Sequence, residues 1–342
     1  MNVLSLFDGM SCGQQALERS GIKVDNYFAS EIDKYAIKVT MNNYPNTIQL
    51  GSVVDVDGYS LPKIDLLIGG SPCQSFSFAG KRKGMSTKDE QEILTLDHYL
   101  QLKAEQYEFE GQSYLFWEYM RLLNECRTKN TDILFLLENV EMGEKWEKVL
   151  SKSIGVNGIH INSSLVSGQN RKRIYWTNIG MKPSGLFGDL ESTIQQPKDK
   201  GILLKDILES EVDEKYFLSE KMVSGFLEHN KNHEGKHIYI PEATKKGFVE
   251  IKPGDCFDAE NLNSETRRGR LMEEKSNCLM ANLTNFMQYQ GKGRIRRLTP
   301  IECERLQTVN DNYTDCVSDS QRYKMLGNGW TVDVIVHIFK YI

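Results

Sequence analysis

Cys73 stands in the run Gly70-Ser71-Pro72-Cys73-Gln74, just after the apolar stretch Ile64–Ile68. That stretch reads as a fully buried strand, so the turn behind it opens where open α/β sheets bind ligands. A cysteine there could be a small buried hydrophobe. A turn framed by Gly and Pro and entering a helix favours the thiolate instead, which is the reactive form. Glu138 closes a second apolar run, Leu136-Leu137-Glu138-Asn139-Val140. Partial desolvation at a strand mouth can hold such a carboxyl protonated and able to donate, although a helix-capping acid has the same look. Gln169-Asn170-Arg171-Lys172-Arg173 precedes the strand-like Ile174–Thr177. Alternation puts Arg171 and Arg173 on one face, so both could point into one cleft. A nucleophilic thiol, a proton-donating carboxyl and paired guanidiniums are what substitution at C5 of a cytosine requires. The thiolate adds at C6, a proton or strong hydrogen bond at N3 assists, the activated C5 takes a methyl group, and loss of the C5 proton expels the cysteine. Such a base must leave its stack to react.

A second constellation lies at the start. The strand-like Val3–Phe7 runs into Phe7-Asp8-Gly9-Met10-Ser11-Cys12-Gly13, a glycine-bearing turn before a helix. It is not the G-x-G-x-x-G turn that lets a dinucleotide's pyrophosphate approach the backbone. S-adenosylmethionine has no pyrophosphate and mainly needs room for its methionyl part. Glu31 ends the second strand, where a carboxylate can accept from ribose hydroxyls. Taken alone, these are also the marks of a turn glycine and a solvent-facing glutamate.

The positioning elements alternate in type. Ser11–Ser20 reads as a helix closed by Gly21 at the left-handed C′ position. Val24–Ser30 reads as a strand, and Asp33–Asn43 as a helix stopped by Tyr44-Pro45. Leu115–Arg127 is helical by period, with Trp117 and Tyr119 packing it into the core, and Ile133–Leu137 is another buried strand. This alternation predicts an α/β fold with a mostly parallel sheet covered on both faces. Between about 180 and 292 the periodicity dissolves into an irregular lobe with short strand-like pieces such as His237–Ile240. Thr299-Pro300-Ile301-Glu302 is a capping box with proline at the first helical position. Leu326–Asn328 breaks before the apolar Thr331–Phe339. Lys88–Gly111, polar and charged, reads as a mobile loop or lid.

The 342 residues suit one large domain and a smaller one. Residues 1–10 lack a signal-peptide pattern, and no apolar run approaches the roughly 20 residues of a bilayer span. A cytoplasmic, membrane-free protein is the expectation. The seven cysteines include no C-x-x-C pair, and His229, His233 and His237 straddle Gly235, so no metal site is expected. The net charge of −5 disfavours a nucleic-acid partner. Basic residues nevertheless cluster at Lys81-Arg82-Lys83, Arg171-Lys172-Arg173, Arg267-Arg268 with Arg270, and Lys292 with Arg294, Arg296 and Arg297.

In order along the chain stand FDGMSCG at 7–13, SPCQSFS at 71–77, ENV at 138–140, QNRKR at 169–173, RRLTPIECERLQ at 296–307 and GNGW at 327–330. With these motifs the sequence resembles the cytosine-C5 DNA methyltransferases over essentially its whole length. Details such as VLSLFDG at 3–9 and ASEID at 29–33 resemble the branch that includes the animal de novo enzymes. Without their chromatin-reading domains, a stand-alone bacterial or phage relative is expected. The resemblance implies a Rossmann-like S-adenosylmethionine-dependent fold, with residues 1–178 and 294–342 as catalytic domain and 179–293 as target-recognition domain. It implies Cys73 as nucleophile, Glu138 engaging N3, Asn139 buttressing the loop, and Arg171 and Arg173 holding a flipped cytosine of double-stranded DNA. Phe7, Asp8, Gly9, Met10, Cys12 and Gly13 would cradle the cofactor. Glu31 would take its ribose and Ile32 its adenine, while Val53, Pro72 and Leu115 would line the pocket and Asn328 and Trp330 close it. Ser52 stands where the family usually has Asp. It can accept from the adenine amino group, but without charge. Arg267, Arg268 and Arg270 would read guanine or contact phosphate, and a cognate restriction endonuclease is a candidate partner. The tRNA-methylating branch usually carries a Cys-Phe-Thr tripeptide, absent here. A catalytically silent DNA-binding relative would lack the nucleophile or cofactor motifs.

Overall fold

The computed structural model describes residues 1–72, 85–184, 189–223, 238–260, 264, 266, 269–281 and 285–342. One compact unit comprises Met1–Asn162, Lys172–Pro197 and Val332–Ile342. Its seven-stranded sheet contains β1 (Asn2–Leu6), β2 (Asn26–Ser30), β3 (Ile48–Gln49), β4 (Leu66–Gly70), β5 (Leu134–Val140), β6 (Ile159–Asn162) and β7 (Lys172–Thr177), in the order β3-β2-β1-β4-β5-β7-β6. The first five strands of that order run parallel, and β7 pairs antiparallel with both β5 and β6. The strand order reverses between β1 and β4. A crevice outside the carboxyl ends of strands at such a switch point is where this architecture binds ligands.

Local chemistry sets the helices. α1 (Cys12–Arg19) ends as its sequence dictates: Gly21, at φ +70°, donates to Glu18 O, and Ile22 N reaches back to Leu17 O. α2 (Lys34–Asn43) is capped by Asp33, whose carboxylate accepts from Tyr35 N and Ala36 N. The sheet packs Leu4, Leu6, Leu67, Phe135 and Leu137 against Trp117, Tyr119, Leu122 and Leu123. These last four lie on a later helix, α4 (Phe116–Arg127). Each fully buried large apolar side chain contributes about 1.5–3 kcal/mol. Trp146, Leu150 and Ile154 bury one stripe of α5 (Glu144–Ile154).

The stretch Lys88–Gly111 is not a lid. It carries α3 (Leu96–Ala104), capped by Thr95, and Ile93, Tyr99 and Leu102 are buried in the main core together with the neighbouring Met85. Two isolated bridges, Ser86 with Glu92 and Thr87 with Phe109, tie its ends. Its polar residues face outward or are satisfied internally, which is why composition alone misleads here.

The second compact unit comprises Ser163–Arg171 and Lys198–Thr331. It holds an antiparallel four-stranded sheet of Leu271–Met272, Cys256–Asp258, Phe286–Gly291 and Arg294–Arg297, with the hairpin Ile238–Pro241/Phe248–Ile251. Ile238, Ile240, Ile251, Phe257, Met287 and Ile295 form its small core. Two helices follow, α6 (Pro300–Leu306) and α7 (Asp319–Asn328), the latter running through Leu326–Asn328 where the sequence suggested a break. The Thr299 capping box forms with both of its hydrogen bonds. These units divide the chain differently from the sequence division. Residues 179–197 stay with the first unit, where Met181–Ser184 pairs with Asp189–Ser192. Residues 294–331 stay with the second, because Arg294–Arg297 completes its sheet and buried Arg296 pairs with Glu302 of α6. The terminal helix α8 (Val332–Phe339) returns to the first unit, where Arg19 of α1 pairs with Asp333.

Candidate active site

Two turns leave the sheet at the switch point. The turn after β1 is built from left-handed residues: Phe7, Gly9 and Ser11 have φ of 56°, 58° and 63°. Such φ values are costly for Phe and Ser and persist only where surroundings impose them. Ser30 and Glu31, at the end of β2, hold this turn, Asp8 N donating to Ser30 O at 3.1 Å. Glu31 Oε2 accepts from Gly9 N at 2.8 Å, and its Oε1 accepts from Ile32 N and Asp33 N at 2.7 and 2.8 Å. Asp8 sits between. Its Oδ1 accepts from the Tyr27 hydroxyl at 2.8 Å, and no described group reaches hydrogen-bond geometry with Oδ2. Burial pushes the Asp8 carboxyl up to about 6, against the pull of the neighbouring Ser5, Tyr27 and Ser11 hydroxyls, with the Glu31 charge adding to the rise.

The seven residues of this motif divide by task. Phe7, Asp8 and Gly9 are half-buried at the strand end, whereas Met10, Cys12 and Gly13 are buried. A Cβ on Gly13 would stand 2.5 Å from Ile68 Cδ1 and 2.8 Å from the Tyr27 oxygen, so this glycine lets α1 close on the sheet. Next to Glu31, Ile32 is 71% exposed, an apolar side chain left open at the rim. Beyond β3, Ser30 Oγ donates to Gly51 O, and half-buried Ser52 and buried Val53 follow. Leu115 is half-buried against the main core, as is Phe7.

The other turn leaves β4. Cys73 lies outside the described residues, as do Lys81, Arg82, Lys83, Arg267, Arg268 and the three histidines 229, 233 and 237. The approach to Cys73 is described up to Pro72, and Asn139 Nδ2 donates to Ser71 O and Oγ at 3.2 and 3.0 Å. Register places Glu138 of β5 directly across from Gly70 and beside Tyr175 of β7. The buried Glu138 carboxylate meets Arg173, with Nε 2.9 Å from Oε1.

Arg171 and Arg173 do not share a task. Alternation holds only within a strand, and Arg171 precedes β7, in the second unit. Its guanidinium donates to the carbonyls of Leu279, Gly327 and Gly329 at 3.0, 3.2 and 2.8 Å and to Cys278 Sγ at 3.3 Å. Four backbone and thiol acceptors engage one planar fork, so Arg171 is buried as an internal clamp. Gln169 works beside it, donating to Leu306 O and Gln307 Oε1 while accepting from Leu279 N. The exposed Asn328 and half-buried Trp330 flank the clamped Gly329, within the second unit. Arg270 likewise turns into the fold and away from solvent. It is fully buried, and its Nη1 donates to Glu260 O at 2.7 Å. Sequence reasoning missed Tyr27 and Gln307. No spacing marks Tyr27, while Gln307 closes a quoted motif without any chemistry of its own.

Comparison with known proteins agrees with this geometry. The chain matches the C-5 cytosine-specific DNA methylase family over residues 1–106 and 101–342, and it belongs to that family. It is similar to the orphan methyltransferase M.SPRI of Bacillus phage SPR, 26% identical over 99% of this chain and 97% of that one. It is also similar to the type II methyltransferases M.NlaX of Neisseria lactamica (27% identical, covering 97% and 93%) and M1.ScrFI of Lactococcus lactis subsp. cremoris (29%, covering 92% and 70%). In fold it is similar to the Entamoeba histolytica methyltransferase EhMeth, at TM-score 0.61 and 17% identity over 100% and 97% of the chains. Spodoptera frugiperda DNMT2 gives 0.57 at 20% identity over 99% and 98%. The protein is thus a DNA cytosine-C5 methyltransferase that uses S-adenosylmethionine.

The residues fit that cofactor. Asp8 Oδ2 is an acceptor without a described donor, suited to the methionyl ammonium. Three backbone amides occupy Glu31, and a carboxylate offers about four acceptor sites, so capacity remains for a ribose hydroxyl. Exposed Ile32 offers an apolar face to an adenine. No helix among the described residues is long and apolar enough to cross a membrane, and no group of metal-ligating side chains occurs among them.

Proposed function

We propose that Cys73 attacks C6 of a cytosine flipped from double-stranded DNA while Glu138 holds N3 of the same ring. The observation that supports this reading is the register of Gly70 with Glu138, which brings the end of β4, three residues before Cys73 in the chain, beside the Glu138–Arg173 pair. Cys73 supplies the electron pair that makes C5 nucleophilic. Glu138, in its protonated form, donates its proton to N3 as negative charge develops there, and Arg173 holds Oε1 so that Oε2 is the oxygen that carries this proton to the base. Asn139 holds Ser71, two residues before Cys73 in the chain. When bound, S-adenosylmethionine supplies the electrophilic methyl group. Loss of the C5 proton and elimination of the thiolate then free the product.

Phe7, Asp8 and Gly9, with Glu31, Ile32, Ser52, Val53, Pro72 and Leu115, form the cofactor side of this reading. Met10, Cys12 and Gly13 shape it from behind. The sheet and hairpin of the second unit serve target recognition, with Arg267 and Arg268 as candidate contacts to guanine or phosphate. A cognate endonuclease is a reasonable partner because two relatives are named type II methyltransferases, and the phage relative named orphan supports a solitary enzyme instead.

Bisulfite sequencing of duplex DNA incubated with enzyme and S-adenosylmethionine, with a 5-fluorocytosine duplex as trap, tests the reading. Protected cytosines in one sequence context and a covalent adduct are expected. Protection of RNA alone would replace the substrate. No adduct with any nucleic acid would remove the nucleophile assignment.

A further inference from the structure

Between β3 and β4 the chain makes a loop that contains Ser52 and Val53, and its carbonyls at Val53 and Val56 are both held by one side chain of α4. Arg121 of α4 donates from Nη2 to Val53 O at 3.1 Å and from Nη1 to Val56 O at 3.0 Å. The same guanidinium is gripped by two acids of its own helix. Its Nε donates to Glu118 Oε2 at 2.6 Å, and its Nη1 to Glu125 Oε1 at 2.8 Å. Glu125 completes the hold by accepting from Gly58 N at 2.8 Å. A Cβ on Gly58 would stand 2.8 Å from Glu125 Cβ, so only glycine permits this approach.

Glu118 is fully buried and also receives the inserted helix α3. The Tyr99 hydroxyl donates to its Oε1, and Lys103 Nζ lies 2.5 Å from the same oxygen. A continuous polar chain therefore runs from the inserted helix through Glu118 and Arg121 to the backbone carbonyls of Val53 and Val56. A planar guanidinium can serve two carboxylates and two carbonyls at once, whereas a lysine ammonium cannot span them.

We propose that Arg121, buttressed through Glu118 by Tyr99 and Lys103, is a positioning residue for the adenine end of S-adenosylmethionine. This rests on the placement of Ser52 and Val53 against that end of the cofactor. The inserted helix, polar on its outside and wedged into the core, supports the cofactor loop from behind. With Ser in place of the family's usual Asp, the contact at residue 52 carries no charge. Its strength then depends on how accurately the loop is held.

The experiment measures S-adenosylhomocysteine affinity by calorimetry, and KM for S-adenosylmethionine against kcat, on the full-length enzyme. Arg121→Lys keeps a charge between Glu118 and Glu125 but cannot hold both carbonyls. It is expected to weaken affinity by about tenfold and to raise that KM in parallel, with kcat at saturating cofactor within about twofold. Unchanged affinity, or a fall in kcat with unchanged KM, overturns the proposal. If Arg121→Lys does not fold, Lys103→Met reads the same split at about two- to threefold, and unchanged affinity there overturns it equally. Ser52→Trp separates this proposal from the reading beneath it. Normal binding by Ser52→Trp removes the placement of the loop and the proposal together. Lost binding by Ser52→Trp beside normal binding by Arg121→Lys removes the proposal alone.

Discussion

If Asp8 holds the methionyl ammonium as proposed, it couples cofactor binding to pH. Burial lifts its carboxyl to about 6, so the free enzyme holds a proton there that the unfolded chain has released. Folding stability from this group is therefore lost as pH rises from the ordinary carboxylate range through about 6. Binding runs the other way, because an ammonium beside Oδ2 attracts the ionised form. Affinity for S-adenosylhomocysteine is expected to rise through pH 6 and to level off before the ligand's own amino group deprotonates near 8. Asp8→Asn should flatten the rise and lower affinity at pH 7. Calorimetry from pH 5 to 7.5 checks this, and an unchanged rise in the variant would place the titration elsewhere. Glu138 answers to a different readout. Glu138→Gln is expected to slow methyl transfer by about 10²–10⁴ while S-adenosylhomocysteine affinity stays within about twofold. Single-turnover rates beside binding data decide it, and a loss of affinity alone would end the N3 role.

At the scale of elements, the motif around residue 170 does two jobs that its sequence runs together. Arg173 lies within β7 and faces Glu138, whereas Arg171, just outside the strand, clamps Leu279, Gly327 and Gly329. Arg171→Ala would take a donor from each of those carbonyls, leaving Gly329 O to Gln307 Nε2 and Leu279 O to Cys278 Sγ, at about 1–3 kcal/mol for each buried bond left unmade. Denaturant unfolding should register a loss of several kcal/mol, with Arg171→Lys recovering part. Arg173→Gln should impair turnover far more than it lowers stability. Equal stability of both variants would show that Arg171 is not a structural clamp. The contrast shows where the sequence could be read. The end of α1 at Gly21, the Asp33 helix start, the Thr299 capping box and the buried strands are local, and residue type within a few positions determines them. Arg171 looks like surface charge because its acceptors lie more than 100 residues away in sequence, and Arg270 and Arg296 do so because only the folded second unit buries them. Lys88–Gly111 misleads for the same reason: Tyr99 and Lys103 are satisfied by Glu118, on another helix. The strand mouths that carry Glu31 and Glu138 could be read from their apolar runs, while Tyr27 and Arg121 needed the fold.

For the whole molecule, the charge balance poses a problem that the internal contacts sharpen. A chain with net charge −5 must bind a polyanion, yet Arg270 and Arg296 are fully buried and Arg171 nearly so. Arg296 is paired bidentately with Glu302, and removing one partner of such a buried pair costs about 3–5 kcal/mol. These arginines belong to the fold, and the DNA field must come from the remaining basic residues. Lys81 and Lys83, close to Cys73 in the chain, are the foremost candidates. Each phosphate neutralised contributes about −0.9 to the slope of log affinity against log salt. Replacing Lys81 and Lys83 together by Gln is therefore expected to make that slope shallower by about 1–2 and to weaken specific and nonspecific duplexes alike. Arg270→Gln should leave the slope unaltered and lower the unfolding midpoint. If Arg270→Gln changes the slope while the lysine pair does not, the buried assignment of Arg270 is wrong and the recognition unit turns that residue toward DNA.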